Sequence, residues 1–211
     1  MEKKYECCFI EGAFIKEKSD KYKKCCAFED KPTSEPFTKF YDKHLFRKSL
    51  KCKMQNQGEN ITVILMNPSY ADEYGLDKTL CKVREFLEQT GKFSGFEVLN
   101  IFPVRTPDSD GLLKVMQKYG NYQEENKRYI IETLKNSKKV LLAWGNDYHK
   151  DAQWIFDHLN GKELYVYYLN KGGKPRHFAP QAYNRVAEKK LIKVTPYQNK
   201  KGMWHLKANL A

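Results

Sequence analysis

Four short apolar segments, each long enough for one strand, recur between residues 60 and 170. They are residues 61–66, 96–102, 139–144 and 164–169, and asparagine, proline or glycine follows each one directly. An apolar run of this length indicates a strand buried on both faces, as in a parallel sheet. The residues that follow are typical of strand ends and turns.

Segments with helical spacing separate these runs. Leu76, Leu80, Val83 and Leu87 recur at intervals of three or four residues, and Gly91 follows where a helix would end. Residues 130–134 and 148–159 repeat the pattern. Strand and helix in alternation predict βαβ units, which place helices on both faces of a parallel sheet. The predicted fold class is therefore α/β, with three layers and a four-stranded parallel sheet.

The predicted domain organisation follows from changes in amino-acid composition along the 211 residues. Residues 1–58 are rich in lysine and contain short apolar pieces, which predicts a small β-rich N-terminal extension packed on the core. Residues 59–211 form the predicted α/β domain. Within it, residues 191–194 could add an edge strand.

The charge of the chain favours a polyanionic partner. Lysine and arginine number 38 against 26 acidic residues, which gives a formal net charge of +12 and a pI of about 9.3. The basic residues are spread along the chain, so we expect nucleic acid or a nucleotide as the partner. A solvated basic surface with no partner is the alternative.

The sequence lacks the usual signals of a membrane span, a secretory signal peptide and a cysteine metal site. No apolar run approaches the roughly 20 residues that span a membrane, and the first residues do not resemble a signal peptide. We expect a cytoplasmic protein with no membrane partner. The six cysteines include two adjacent pairs and no Cys-x-x-Cys, so we expect free thiols, no metal and no cofactor. A metal site across the two pairs is the alternative.

Ligands of open parallel sheets bind beyond the carboxyl ends of the strands. Four segments should meet there: residues 67–70, 100–103, 144–147 and 170–177. The motifs of three common hydrolase classes are absent, so these classes are not among the leading interpretations. They are nucleotide hydrolases with a phosphate-binding Gly-rich loop, zinc hydrolases with His-Glu-x-x-His and hydrolases with Gly-x-Ser-x-Gly.

Two amides and one imidazole are the central candidates. Asn67 is held by Pro68 and could position water or substrate, although Asn-Pro also occurs as a simple turn. Asn100 lies inside an apolar strand, where a polar side chain is costly unless it is paired. It could read the edge of a base, or it could be a structural amide. His177 follows a glycine pair that allows close approach to a ligand.

Further candidates surround these three. Asp72 could orient a water or cap the next helix, and Ser69 adds a hydroxyl. Tyr70, Phe102 and Trp144 could stack on a base or form a pocket floor, although each could equally be a core residue. The predicted phosphate-binding cations are Arg105, Lys174 and Arg176.

Several of these motifs together resemble a known family. Residues 64–72, 76–79, 98–105, 142–145 and 173–177 are similar to the bacterial and phage family catalogued as domain of unknown function 1643. The similarity runs from about residue 45 to 180 in the same order and spacing. More distantly, the same landmarks resemble the uracil-DNA glycosylase superfamily. That resemblance implies a four-stranded parallel sheet in the order 2-1-3-4.

The resemblance to uracil-DNA glycosylases also implies residue roles and a reaction. Asn67 or Asp72 would hold the attacking water, Asn100 would read a flipped base, and His177 would stabilise the departing base. The reaction would be hydrolysis of an N-glycosidic bond. Two alternatives stay open: a non-catalytic module that binds a nucleotide or nucleic acid, for instance in phage–host conflict, and a DNA-binding scaffold that uses only its basic surface.

Overall fold

The structure is a computed structural model that describes residues 26–29, 46–54, 57–69, 71, 76–104, 112, 116–117 and 120–209. Its strands are β1 (Cys26–Glu29), β2 (Phe46–Lys53), β3 (Glu59–Leu65), β4 (Phe93–Asn100), β5 (Lys139–Leu142), β6 (Glu163–Val166), β7 (Leu169–Asn170), β8 (Lys174–Pro175), β9 (Ile192–Gln198) and β10 (Trp204–Ala208). Its helices are α1 (Lys78–Thr90), α2 (Gly120–Asn136), a 3₁₀ helix (Gln153–His158) and α3 (Pro180–Asn184).

Within the described residues, one large sheet has the strand order β1-β2-β4-β3-β5-β6-β9-β10. The four central strands β4, β3, β5 and β6 are parallel to one another. The prediction of an α/β protein with a parallel central sheet is therefore confirmed. β7 and β8 form a separate small antiparallel hairpin.

The sheet is wider than the four strands predicted from the sequence, and this expectation is corrected. β2 pairs with β4, and β9 pairs with β6, both antiparallel. A four-stranded sheet would leave a row of unpaired backbone groups at each edge, and these additional strands cover both edges. The edge strand suggested at residues 191–194 corresponds to the start of β9, which begins at residue 192 and is covered by β10. The domain boundary at residue 58 stays a prediction, and β2, which precedes it, pairs directly with β4.

Apolar side chains fill the space on both faces of the sheet. One core cluster joins the sheet to α1, and the other joins it to α2 and the 3₁₀ helix. Helix α1 begins after Asp77, whose Oδ1 accepts a hydrogen bond from the Leu80 N–H at 2.9 Å, and ends at Gly91 with φ of 64°. A cap oxygen and a left-handed glycine are the ordinary start and stop of a helix.

The segment between β5 and β6 departs from the predicted helix over residues 148–159. It is a turn followed by the short 3₁₀ helix. Gln153 explains part of this difference, because its side chain accepts from the Trp204 N–H at 2.7 Å and donates to the His149 carbonyl at 3.1 Å. Contacts with β10 therefore compete with regular helix geometry.

None of the helices in the described part of the chain combines the length and the apolar content that crossing a membrane requires.

Candidate functional site

The carboxyl ends of β3 and β4 lie side by side and continue together into their loops. Leu65 pairs with Asn100 in the parallel register. Beyond the strands, Ile101 N–H donates to the Leu65 carbonyl at 3.0 Å, and Phe102 N–H donates to the Met66 carbonyl at 2.9 Å. The loop that begins at Asn67 and the segment that follows Asn100 therefore emerge at the same rim of the sheet.

Asn100 is completely buried at this rim. Its Oδ1 accepts a hydrogen bond from Nη2 of Arg47 at 3.0 Å, and its Nδ2 has no partner among the described residues. Strand alternation directs Leu99 and Ile101 toward α2, so Asn100 points to the α1 side. A buried amide donor without a partner costs about 1–3 kcal/mol. An acceptor on a ligand would recover that energy.

Arg47 is a residue of this rim that the sequence interpretation missed. It is 1% exposed, although arginine is almost never fully buried unless it is paired. Its Nη1 donates to the Ala71 carbonyl at 3.0 Å, and its backbone N–H donates to the Pro103 carbonyl at 2.9 Å. The guanidinium therefore joins the loop after β3 to the end of β4. An arginine directly after an apolar Phe46 was the available signal.

Ala71 connects this arginine to the start of α1. Its carbonyl accepts from Arg47, and its N–H donates to Oδ2 of Asp77 at 3.3 Å. The Asp77 carboxylate thus holds the β3 loop with one oxygen and caps α1 with the other. Ala71 is therefore held on one side by the Arg47 guanidinium and on the other by the Asp77 carboxylate.

Two hydrogen bonds hold His177 in place. Its Nδ1 accepts a hydrogen bond from the Ala179 N–H at 3.0 Å, and its carbonyl accepts from the Tyr167 hydroxyl at 2.7 Å. A Cβ placed on Gly145, which has φ of 90°, would lie 3.4 Å from Cβ of His177. His177 therefore lies close to the backbone that follows β5.

The protonation state of His177 follows from its surroundings. Burial lowers its pKa to about 4, and the Asp77 carboxylate only partly opposes this shift. The imidazole is therefore neutral at pH 7. Because Nδ1 is an acceptor, the ring proton is on Nε2, which makes Nε2 a hydrogen-bond donor.

The remaining candidates on the β3 loop have local contacts. Asn67 is half-buried, and its Nδ2 donates to the Pro68 carbonyl at 2.9 Å. Ser69 is also half-buried. Three predicted site residues, Tyr70, Asp72 and Arg105, lie outside the residues that the structure describes.

Phe102 and Trp144 lie on the other side of the sheet from Asn100. Both are buried in the core that includes α2 and the 3₁₀ helix. Phe102 contacts Tyr148 edge to face, with ring centroids 5.4 Å apart. Trp144 Nε1 donates to Nδ1 of His149 at 3.1 Å. For these two residues, the geometry matches the alternative of a core role.

The two cations of the late loop differ in their contacts. Arg176 is half-buried, and its Nε donates to the Ala182 carbonyl at 3.1 Å while its Nη1 donates to Oδ1 of Asn170 at 3.3 Å. These bonds hold the loop that leads to His177. Lys174 is half-buried; burial lowers the pKa of His149, and the charge of Lys174 adds to that shift.

A cavity of about 830 Å³ opens at the opposite, amino ends of β3, β4 and β5. Its charged lining consists of three lysines and three glutamates, whose charges cancel. They are Lys51, Lys53, Lys138, Glu59, Glu97 and Glu132. Such a surface offers no electrostatic preference for an anion. We place the candidate site at the carboxyl rim instead, because the buried amide and the neutral imidazole are there.

Fold and rim together define an α/β protein whose polar site lies at the carboxyl ends of parallel strands. The chain belongs to the family described as protein of unknown function (DUF1643), whose model matches residues 47–178. That match includes Arg47, Asn67, Asn100 and His177 and ends before β9. Comparison with curated proteins finds no match, and comparison with solved structures finds none either.

Proposed function

We propose that this protein is a uracil-DNA glycosylase-like hydrolase that cleaves the N-glycosidic bond of a base or nucleotide in nucleic acid. One observation carries the proposal: a neutral His177 with a donor Nε2 belongs to the rim at which the buried Asn100 has an unpaired Nδ2. Two fixed donors are suited to a base that carries carbonyl acceptors.

The chemistry explains why a neutral imidazole is useful. Cleavage of an N-glycosidic bond leaves negative charge on the departing base. A fixed Nε2–H donor can stabilise that charge without a proton transfer, and removal of such a donor typically costs about 10²–10³ in rate. Asn100 would bind an acceptor on the base edge, and its contact with Arg47 fixes the orientation of its amide. Asn67 would position the water.

The order of the parallel strands also supports the proposal. The sheet has β4-β3-β5-β6 at its centre, which matches the order that the resemblance to uracil-DNA glycosylases implies. A shared strand order is compatible with many functions, so the argument rests mainly on the rim.

The test is incubation of the full chain with single-stranded and duplex oligonucleotides that contain uracil or other altered bases, followed by detection of abasic sites. We expect product with the wild-type protein and a loss of about 100-fold or more in H177A. H158A is the matched control, because His158 lies on the 3₁₀ helix within the described structure and outside the rim. Absence of product from every substrate would refute the hydrolase proposal.

A second candidate function is non-catalytic binding of a nucleotide or nucleic acid. It is favoured by Asn67, which occupies the place of a water-activating carboxylate and donates locally to Pro68. This function predicts a ligand retained through purification and no turnover. Mass spectrometry of the denatured protein would detect such a ligand.

A further inference from the structure

The excess positive charge is concentrated at one end of the chain. From residue 171 onward there are ten lysine and arginine residues and a single acidic residue, Glu188. Nine of the twelve excess charges therefore belong to the last 41 residues. Most of this segment follows residue 178, where the family match ends.

Most of these cations are exposed and lack ion-pair partners. Lys190 pairs with Glu188 at 2.6 Å, and Lys193 pairs with Glu163 at 3.0 Å. The other eight cations of this segment have no carboxylate partner among the described residues. Unpaired exposed cations are available for an external polyanion.

Two tyrosines give this region a second property. Tyr168 is 38% exposed and Tyr197 is 39% exposed, and they are the exposed large hydrophobic residues of the described structure. The guanidinium carbon of Arg176 lies 5.1 Å from the centre of the Tyr168 ring. Exposed aromatic rings combined with cations are typical of surfaces on which unpaired bases stack.

The β9–β10 hairpin presents its polar residues on one face. Tyr197 is paired with His205, their ring centroids are 5.8 Å apart, and Thr195 is paired with Lys207. The opposite face carries Leu206, which is buried in the core. Lys200 and Lys201, in the turn between the strands, are also exposed.

This hairpin is fastened to the loop that carries His177. Leu206 N–H donates to the Gly173 carbonyl at 2.8 Å, and Nδ1 of His205 donates to the Gly172 carbonyl at 2.7 Å. A Cβ on Gly173 would lie 2.3 Å from the Leu206 carbonyl oxygen, so only glycine allows this approach. The exposed hairpin face is therefore continuous with the loop that leads to the candidate site.

We propose that the β7–β8 and β9–β10 hairpins together form a binding surface for single-stranded nucleic acid. This surface directs the strand toward the rim at His177. We call it the C-terminal cationic surface and define it by Tyr168, Lys171, Tyr197, Lys200, Lys201 and Lys207. The lysines contact phosphates, and the tyrosines stack on unpaired bases. A duplex hides its bases from such rings, so the surface prefers a single strand. The inference rests on the proposed function, because it names the substrate form for the same site.

The experiment measures fluorescence anisotropy of a labelled oligonucleotide of about 16 nucleotides, as a single strand and as a duplex, over a range of salt concentrations. The test variant is K200A/K201A/K207A. The matched control is K53A/K92A/K135A, which removes the same charge from exposed lysines elsewhere. Circular dichroism and thermal unfolding verify that both variants are folded.

We expect the test variant to bind the single strand at least tenfold more weakly. Its plot of log affinity against log salt should be about two units less steep, because each lost phosphate contact removes about 0.7. Y197A should weaken binding about tenfold with an unchanged salt slope, since a stacked base contributes energy without charge. The control variant should retain the wild-type slope.

Three results would overturn this surface: no binding of the single strand by the wild type, an equal loss in both triple variants, or tighter binding of duplex or of an acidic peptide. The hydrolase proposal fails separately. If the surface variants lose binding while no abasic product forms in any assay, the surface stands and the hydrolase falls. If H177A alone loses activity and the surface variants bind and cleave like wild type, the hydrolase stands and the surface falls.

Discussion

The rim at His177 and the C-terminal cationic surface use polar residues in opposite ways. At the rim, Arg47 and Asn100 are buried and bound to each other, and the imidazole is kept neutral. On the cationic surface, lysines are exposed and lack ion-pair partners. Buried groups act at low dielectric and are weakly screened by salt, whereas exposed charges attract from a distance and are strongly screened. In the two proposals above, the rim provides discrimination and chemistry, and the cationic surface provides affinity.

The largest expected effect concerns the buried side of this comparison. R47A removes the donors to Asn100 Oδ1 and to the Ala71 carbonyl and leaves buried acceptors without partners. We expect the free energy of unfolding to fall by about 3 kcal/mol or more, measured by urea denaturation. K207A, at an exposed position of the C-terminal cationic surface, should change it by less than about 0.5 kcal/mol. If both substitutions lowered the free energy of unfolding equally, the distinction between a buried, bonded rim and an exposed surface would be contradicted.

A second prediction concerns pH. The imidazole of His177 has a folded pKa of about 4 and an unfolded pKa near 6.5, so the unfolded state binds more protons between these values. Its stabilising contribution is complete above about pH 6.5 and is lost as the pH falls toward 4. The loss is on the order of 3 kcal/mol.

Urea denaturation at several pH values checks this expectation. H177Q should show a flatter pH dependence of the free energy of unfolding than the wild type, and H158Q should behave as the wild type does. A proton resonance of His177 that titrates near pH 6.5 in the folded protein would show that the rim is wet and would contradict the proposed neutral donor.

The third and smallest effect concerns the junction between the two regions. W144F removes the donor to Nδ1 of His149, whose Nε2 contacts the Trp204 carbonyl at 2.8 Å. We expect a loss of about 1–3 kcal/mol, because a buried ring nitrogen loses its partner. W154F is the matched control, since the buried Nε1 of Trp154 has no partner among the described residues. A cost for W154F equal to that for W144F would disprove this explanation.

The sequence predicted the parallel strands well because their apolar runs are local and continuous. The rim followed from them, since parallel strands must end at one edge. The sequence could not show that Ile101 and Phe102, although adjacent, both join the core that includes α2. That arrangement depends on where β4 ends, because side-chain alternation stops with the strand. Phe102 was therefore expected at the site and lies in the core.

Arg47 was missed for a different reason. It lies 53 residues before Asn100, and β2 brings them together only by pairing antiparallel to β4. The local signal, an arginine directly after the apolar Phe46, does not reveal that its partner is Asn100. The distribution of charge could be obtained from the sequence, but the expectation of a basic excess spread along the chain is wrong. Counting by segment shows that the excess lies after residue 170.

The bond between Leu206 N–H and the Gly173 carbonyl joins main chain to main chain. Any residue except proline at position 206 can supply that donor, and position 173 must stay glycine. Apart from His205, whose Nδ1 also holds the Gly172 carbonyl, the outward side chains of the hairpin can therefore change in size or charge while this main-chain bond is kept. Relatives that keep this glycine can therefore vary the sequence of the hairpin while its attachment to the loop before His177 is kept.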